Sequence, residues 1–114
     1  MDNSIQEKSF HFAVRIVKLC RYLQNEKKEF ILAKQLLRSG TSIGANVSES
    51  QQAQSRPDFV SKLNIALKEA TETEYWLRLL HETDYLNNEQ FDSIFNDCNE
   101  VKSLLVAIVK TTKN

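Results

Sequence analysis

Apolar side chains recur every three or four positions along most of this chain, and polar clusters interrupt the recurrence in three places. Phe59, Leu63, Ala66, Ala70, Leu77 and Leu80 form one such series, and Phe91, Phe95, Cys98, Val101, Leu105 and Ile108 another. A third comprises Leu32, Leu36, Ile43 and Val47, flanked by Ala33, Gly40 and Gly44. This stride puts each series on one face of an α-helix, whereas a strand would alternate faces. Helix-start signals bracket the series. Ser4 followed by Glu7 reads as a capping box, in which hydroxyl and carboxylate satisfy backbone donors of the first turn. Ser55-Arg56-Pro57-Asp58 places a capping hydroxyl, a proline inside the first turn and an acid near the positive dipole end. Asn87 with Gln90 repeats the signal, and Asn25-Glu26-Lys27-Lys28 breaks the first apolar stretch. The pattern predicts helices over residues 5–25, 29–54, 57–83 and 88–111 of one domain spanning 1–114. Helices of this length run about 37 Å, and short links force neighbours antiparallel. The expected fold is all-α, an antiparallel up-down-up-down four-helix bundle.

Composition agrees and narrows the function classes. A length of 114 residues suits one compact domain. Two glycines and one proline are too few for a β-sandwich or barrel. Fifteen basic residues balance fifteen acidic ones, which argues against a protein built to coat nucleic acid. Cys20 and Cys98 have no ligand-spaced neighbours, and Cys98 falls in a core series, so both read as small buried hydrophobes. The first residues lack the features of a signal peptide and no apolar run approaches membrane length, so a cytoplasmic location without membrane contact is expected.

Three features exceed what a plain bundle needs. On the third helix, Ile65, Glu69, Glu72, Trp76 and Leu79 form a second line, offset from the core series, with Tyr75 at its margin. A lone bundle would expose this aromatic and apolar surface, so the line predicts a subunit interface, where such anchors are enriched. Its two glutamates would then need Arg or Lys partners from another chain, because unpaired burial is costly. Leu104, Val106 and Val109 offer further apolar surface on the fourth helix.

The second helix carries Arg38-Ser39-Gly40-Thr41-Ser42-Ile43-Gly44-Ala45-Asn46-Val47-Ser48-Glu49. Each glycine costs about 1 kcal/mol relative to alanine inside a helix. Close approach of another helix at Gly40 and Gly44 is the simplest compensation. A phosphate loop would require a Gly-Lys-Ser/Thr ending after a strand, and neither is present. Gln35, Arg38, Ser42, Asn46 and Glu49 share one face of this helix, a polar seam that would fix register between helices or subunits, Arg38 pairing with a carboxylate such as Glu72. No nucleophile and base are matched along it.

Finally, Lys8, His11, Arg15 and Lys18 line one face of the first helix, with Arg21 close by. Residues 1–28 hold six basic and three acidic groups, a local +3. On sequence alone the stripe reads first as pairing with acidic residues of the third helix, in the bundle or between subunits; contact with RNA phosphates is its other candidate role. Metal-binding bundles place a glutamate three residues before an inward histidine, and neither His11 nor His81 has one. No cofactor, metal or catalytic group is expected.

The residues also resemble a known family. Phe10 with Phe12-Ala13, the Arg38–Glu49 block, and the later Asp58-Phe59, Lys62-Leu63, Ile65-Ala66-Leu67, Glu72 and Tyr75-Trp76-Leu77 are similar to the signatures of the 23S rRNA intervening-sequence proteins, also called four-helix-bundle proteins. The resemblance covers nearly the whole chain. It implies a homopentameric ring of antiparallel bundles, non-enzymatic, with an RNA or RNA-bound protein as partner. Carried over by position, Arg38, Ser42, Asn46, Glu49 and Glu72 are the signature polar residues. The rival expectation is a purely structural or protein-interaction module that binds no nucleic acid.

Overall fold

The computed structural model describes residues 4–113, with the side chains of Ser4 and Lys113 left aside. The capping box read at Ser4 therefore lies outside the described residues. Among those described there are four helices: α1 Ser4–Asn25, α2 Ile31–Ser50, α3 Arg56–Glu82 and α4 Asn88–Lys113. They form an antiparallel up-down-up-down bundle of about 44 × 20 × 19 Å, in which α1 packs on α2, α2 on α3 and α3 on α4. The closing α1–α4 contact is the sparsest.

The helix ends follow from local chemistry. At the start of α3, Ser55 Oγ accepts from Asp58 N at 3.2 Å, while Asp58 Oδ2 accepts from Gln54 N at 3.1 Å. At α4, Asn87 Oδ1 accepts from Gln90 N and Gln90 Oε1 accepts from Asn87 N, a reciprocal box. α2 begins at Ile31 and ends at Ser50, inside the span 29–54 that periodicity predicts. Lys28, at φ 54°, turns the chain, and Glu29 Oε1 then accepts from Ala33 N as the first-turn cap. At the other end, Ser50 Oγ donates to Val47 O, and short backbone bonds from Gln51, Gln52 and Ala53 tighten the chain into a turn ahead of Pro57. Asp84, at φ 70°, supplies the bend between α3 and α4, a conformation that aspartate tolerates better than most residues.

The core is continuous from end to end. Ile16, Leu36, Ile43, Leu63, Leu77 and Leu105 are almost fully enclosed. Phe59, Phe91, Phe95 and Ile108 pack against this core while remaining partly exposed. Val109, which periodicity assigns to the outer surface of α4, is buried instead, because the core stripe drifts round this long helix and Val109 follows Leu105 by one turn. Two hydroxyls sit inside the apolar layer: Ser39 of α2 and Thr73 of α3, joined at 2.9 Å. Ser39 Oγ also donates to Leu36 O and Thr73 Oγ1 reaches Glu69 O, so neither lacks a partner.

Both cysteines are free and buried. Burial pushes each thiol from its ordinary value of 9.0 up to about 12, with the Glu74 carboxylate adding to the shift at Cys98. Since the thiolate is the reacting species, a disulfide reagent at pH 8 is expected to label the folded protein only as fast as it unfolds. The same shift makes stability pH-dependent. The unfolded chain loses these protons first, so the contribution is intact below pH 9 and declines as pH rises toward 12. Labelling of native protein at the rate of a small thiol would contradict this account of both sites.

Candidate functional site

The shoulder between α2 and α3 gathers most of the residues singled out from sequence. The Arg38 guanidinium of α2 pairs with Glu72, and its Nη1 lies 3.4 Å from Glu69 Oε1. Gln35 Oε1 accepts from Arg38 Nη2 at 3.4 Å. Trp76 Nε1 donates to Glu72 Oε2 at 2.8 Å, so one carboxylate receives both guanidinium and indole. The two glutamates of the α3 line thus share one cation from their own chain, which offsets one of their two charges. The half-exposed position of Arg38 keeps each pair modest, about 1 kcal/mol or less. Its larger consequence is positional, since Arg38 fixes the carboxylate that receives the indole N–H.

The other signature residues of α2 behave differently. Ser42 Oγ donates to Arg38 O at 2.6 Å and Asn46 Nδ2 donates to Ser42 O at 2.9 Å, both within the helix. Glu49 reaches Lys62 of α3 at 3.2 Å, far along the seam from Arg38. Arg38 and Glu72 therefore meet directly, while Ser42 reaches only the Arg38 backbone and Asn46 and Glu49 extend the seam beyond it. Trp76 is half-buried, and Tyr75 lies edge-on to it, with ring centroids 5.0 Å apart. Ile65 and Tyr75 are exposed, at 38% and 56%, and Leu79 is half-buried.

The basic stripe of α1 is partly consumed by α4. Lys8 bonds Glu100 at 2.9 Å; Arg15 bonds Asp97 Oδ2 at 2.5 Å and both oxygens of Ser93. The hydrogen bond to Glu100, and then its charge, raise Lys8 above its ordinary value. Within one chain, pairing with the acids of α3, expected as an alternative to RNA contact, does not occur among the described residues, because α3 is diagonal to α1 and α4 is its neighbour. His11 shares a small cleft with Lys8, Arg15, Asp97 and Glu100. Lys18 and Arg21 are exposed and enter no ion pair among the described residues. No cluster of potential metal ligands and no helix long and apolar enough to cross a membrane occurs among the described residues.

Periodicity alone misses a second surface. Between α1 and α2 runs a groove of about 430 Å³ walled by Phe10, Ala13, Thr41 and Ala45, with Gly44 and Val47 at its base. Phe10 is 65% exposed, and at the head of α2 Phe30 and Ile31 are 57% and 77% exposed. The available signal is phase: Phe10 lies out of step with Ile5, Phe12 and Ile16, which face the core. Gly44 makes the groove possible, since a Cβ there would come within 3.2 Å of the Ser9 carbonyl oxygen.

With this geometry in view, comparison with known proteins is informative. Residues 1–107 match the family described as 23S rRNA-intervening sequence protein. A crystal structure from Bacteroides thetaiotaomicron is similar over 93% of this chain and 98% of that one, with 61% identity and a TM-score of 0.92. That protein is described as one of unknown function from the S23 ribosomal protein family. None of the curated proteins matches the chain.

Proposed function

This chain belongs to the 23S rRNA-intervening sequence protein family, and on that premise we propose that it acts as a homo-oligomeric accessory protein and not as an enzyme. Copies assemble in the cytoplasm, five to a ring as the resemblance implies, and present a composite surface to a partner. The observation that carries this reading is the apolar surface left over once the core is filled. Ile65 and Tyr75 stand exposed beside half-buried Trp76, while Arg38 already offsets one of the two carboxylate charges among them. Covering such a face therefore strands one negative charge instead of two, and a cation of the neighbouring copy would offset it. The non-enzymatic part is supported by the two thiols, which burial keeps protonated.

Association with RNA or an RNA-bound protein is the partner class suggested by the family's description. Lys18 supports it as an exposed, unpaired cation, and repetition round a ring would let weak patches act together. Filter binding of a ribosomal RNA fragment at low and physiological salt tests this part: salt-sensitive retention supports it, and none at either salt removes it in favour of a protein-only module.

Self-association has its own test. Light scattering on the wild-type chain is expected to give a multiple of 13.2 kDa. Trp76→Glu places a charge on the covered face and is expected to return the mass of one chain with helical content unchanged. A wild type already monomeric at micromolar concentration ends the proposal.

A further inference from the structure

Charge that finds no partner within the chain is distributed unevenly over the bundle. At the end where α1 meets α2 and α3 meets α4, residues 18–34 hold five basic and two acidic groups, net +3. Residues 78–92, at the same end, hold one basic and four acidic groups, net −3. Arg21 and Lys34 on one side and Glu82 and Asp84 on the other are all exposed, and none enters an ion pair among the described residues. Farther from this end the signs reverse: Glu7 of α1 and Lys68 at the middle of α3 are likewise exposed and unpaired among the described residues.

We infer that the α1–α2 shoulder of one copy docks against the exposed face of α3 on the next, with the two copies parallel. The inference rests on the self-association proposed above and names the two surfaces that meet. At 1.5 Å per residue, Arg21 and Lys34 lie about 5 Å from the shared end of the bundle, level with the carboxylates of Glu82 and Asp84. Glu7 lies about 27 Å from that end and Lys68 about 21 Å, so the parallel arrangement sets these unlike charges about one turn apart. An antiparallel arrangement would oppose Arg21 to Arg56, a second exposed cation about 39 Å from that end. Between the charged levels the α1–α2 seam is uncharged: it is the groove walled by Phe10 and Ala45, about 20 Å from the same end. Ile65 stands about 25 Å along α3, which brings an exposed apolar side chain opposite an apolar groove.

The two surfaces differ, so the contact is head-to-tail, and it closes into a ring when the rotation between copies permits. Complementary charge at the margins sets partner and register, while the apolar middle supplies the burial. The occupant of the groove is therefore a second copy of this chain, and the cations of the shoulder face carboxylates instead of a phosphate backbone.

Sedimentation of the full chain at low and high salt, with charge-reversed variants, tests this. Arg21→Glu with Lys34→Glu is expected to weaken association by more than about tenfold, and Glu82→Lys with Asp84→Lys to do the same. The chain carrying all four changes restores attraction with the signs exchanged, and is expected to regain the wild-type mass. Mixing the two double variants should likewise regenerate assemblies. An oligomeric wild type whose mass neither double variant changes overturns the docking and leaves self-association standing. So does a pair of weakened variants that the fourfold exchange fails to rescue. Loss of RNA retention in the Arg21/Lys34 variant with its mass unaltered also overturns it, giving the shoulder to phosphate. A monomeric wild type instead defeats the self-association reading itself.

Discussion

Gly40→Leu is expected to destabilise the bundle by about 2–3 kcal/mol, read as a lower urea midpoint and a melting temperature reduced by roughly 10–20 °C. Even a Cβ at Gly40 would fall 2.8 Å from both Cγ1 and Cγ2 of Ile16 and 3.1 Å from its Cδ1. Ile16 has no exposed surface, so it has no solvent into which to swing. Removing the glycine's helix penalty returns about 1 kcal/mol, and overpacking of about 1–3 kcal/mol outweighs it once the side chain extends beyond a methyl. The diagnostic experiment is the pair. Gly40→Ala and Ile16→Ala together are expected to be more stable than the sum of the single changes, because the Cγ and Cδ carbons lost on α1 make room for the methyl gained on α2. Strict additivity would mean that the α1–α2 spacing adjusts freely, and the reading of Gly40 as the point of closest approach would fail.

A second large effect is expected at the buried hydroxyl pair. Thr73→Val keeps the shape of the side chain but removes the partner that Ser39 Oγ meets at 2.9 Å, in a layer with no access to water. A cost of about 1–3 kcal/mol is expected. Ser39→Ala should be milder, since Thr73 Oγ1 retains the Glu69 carbonyl oxygen at 2.8 Å. Replacing both residues should recover much of the loss, because Ser39 Oγ is then no longer left buried with only its long 3.4 Å bond to Leu36 O. Urea titration of the four proteins gives the coupling directly. A Thr73→Val variant as stable as the wild type would show that the hydroxyl pair contributes nothing to holding α2 against α3.

What was legible in the sequence differs between fold and surface. The caps at Ser55 and Asn87 could be read because their hydrogen bonds close within a few residues, with no help from the rest of the molecule. The premature end of α2 at Ser50 was not legible, because Gln51–Gln54 are compatible with a helix and the turn is made by competing local bonds. Val109 was misassigned because its depth depends on the rotation of α4 against α1, to which an isolated helix has no reference. The pairing of Arg38 with Glu72 was legible from the two polar stripes and is made, but that Glu69 shares the same guanidinium was not, since the residues that approach from α2 depend on the crossing of two helices.

The sequence by itself determined that this chain makes long helices, where three of their starts lie, and that they pair in an antiparallel bundle. Periodicity, capping and link length are local properties, carried by residues within one or two turns of each other. Only the tertiary structure decided which charges are spent inside the molecule and which remain available. Lys8 and Arg15 are engaged by α4 and Arg38 by α3, while Arg21, Lys34 and Glu82 stay unpaired at the surface. The reason is that an ion pair forms over about 4 Å, and residues many turns apart in the chain reach that distance only after every helix has taken its place.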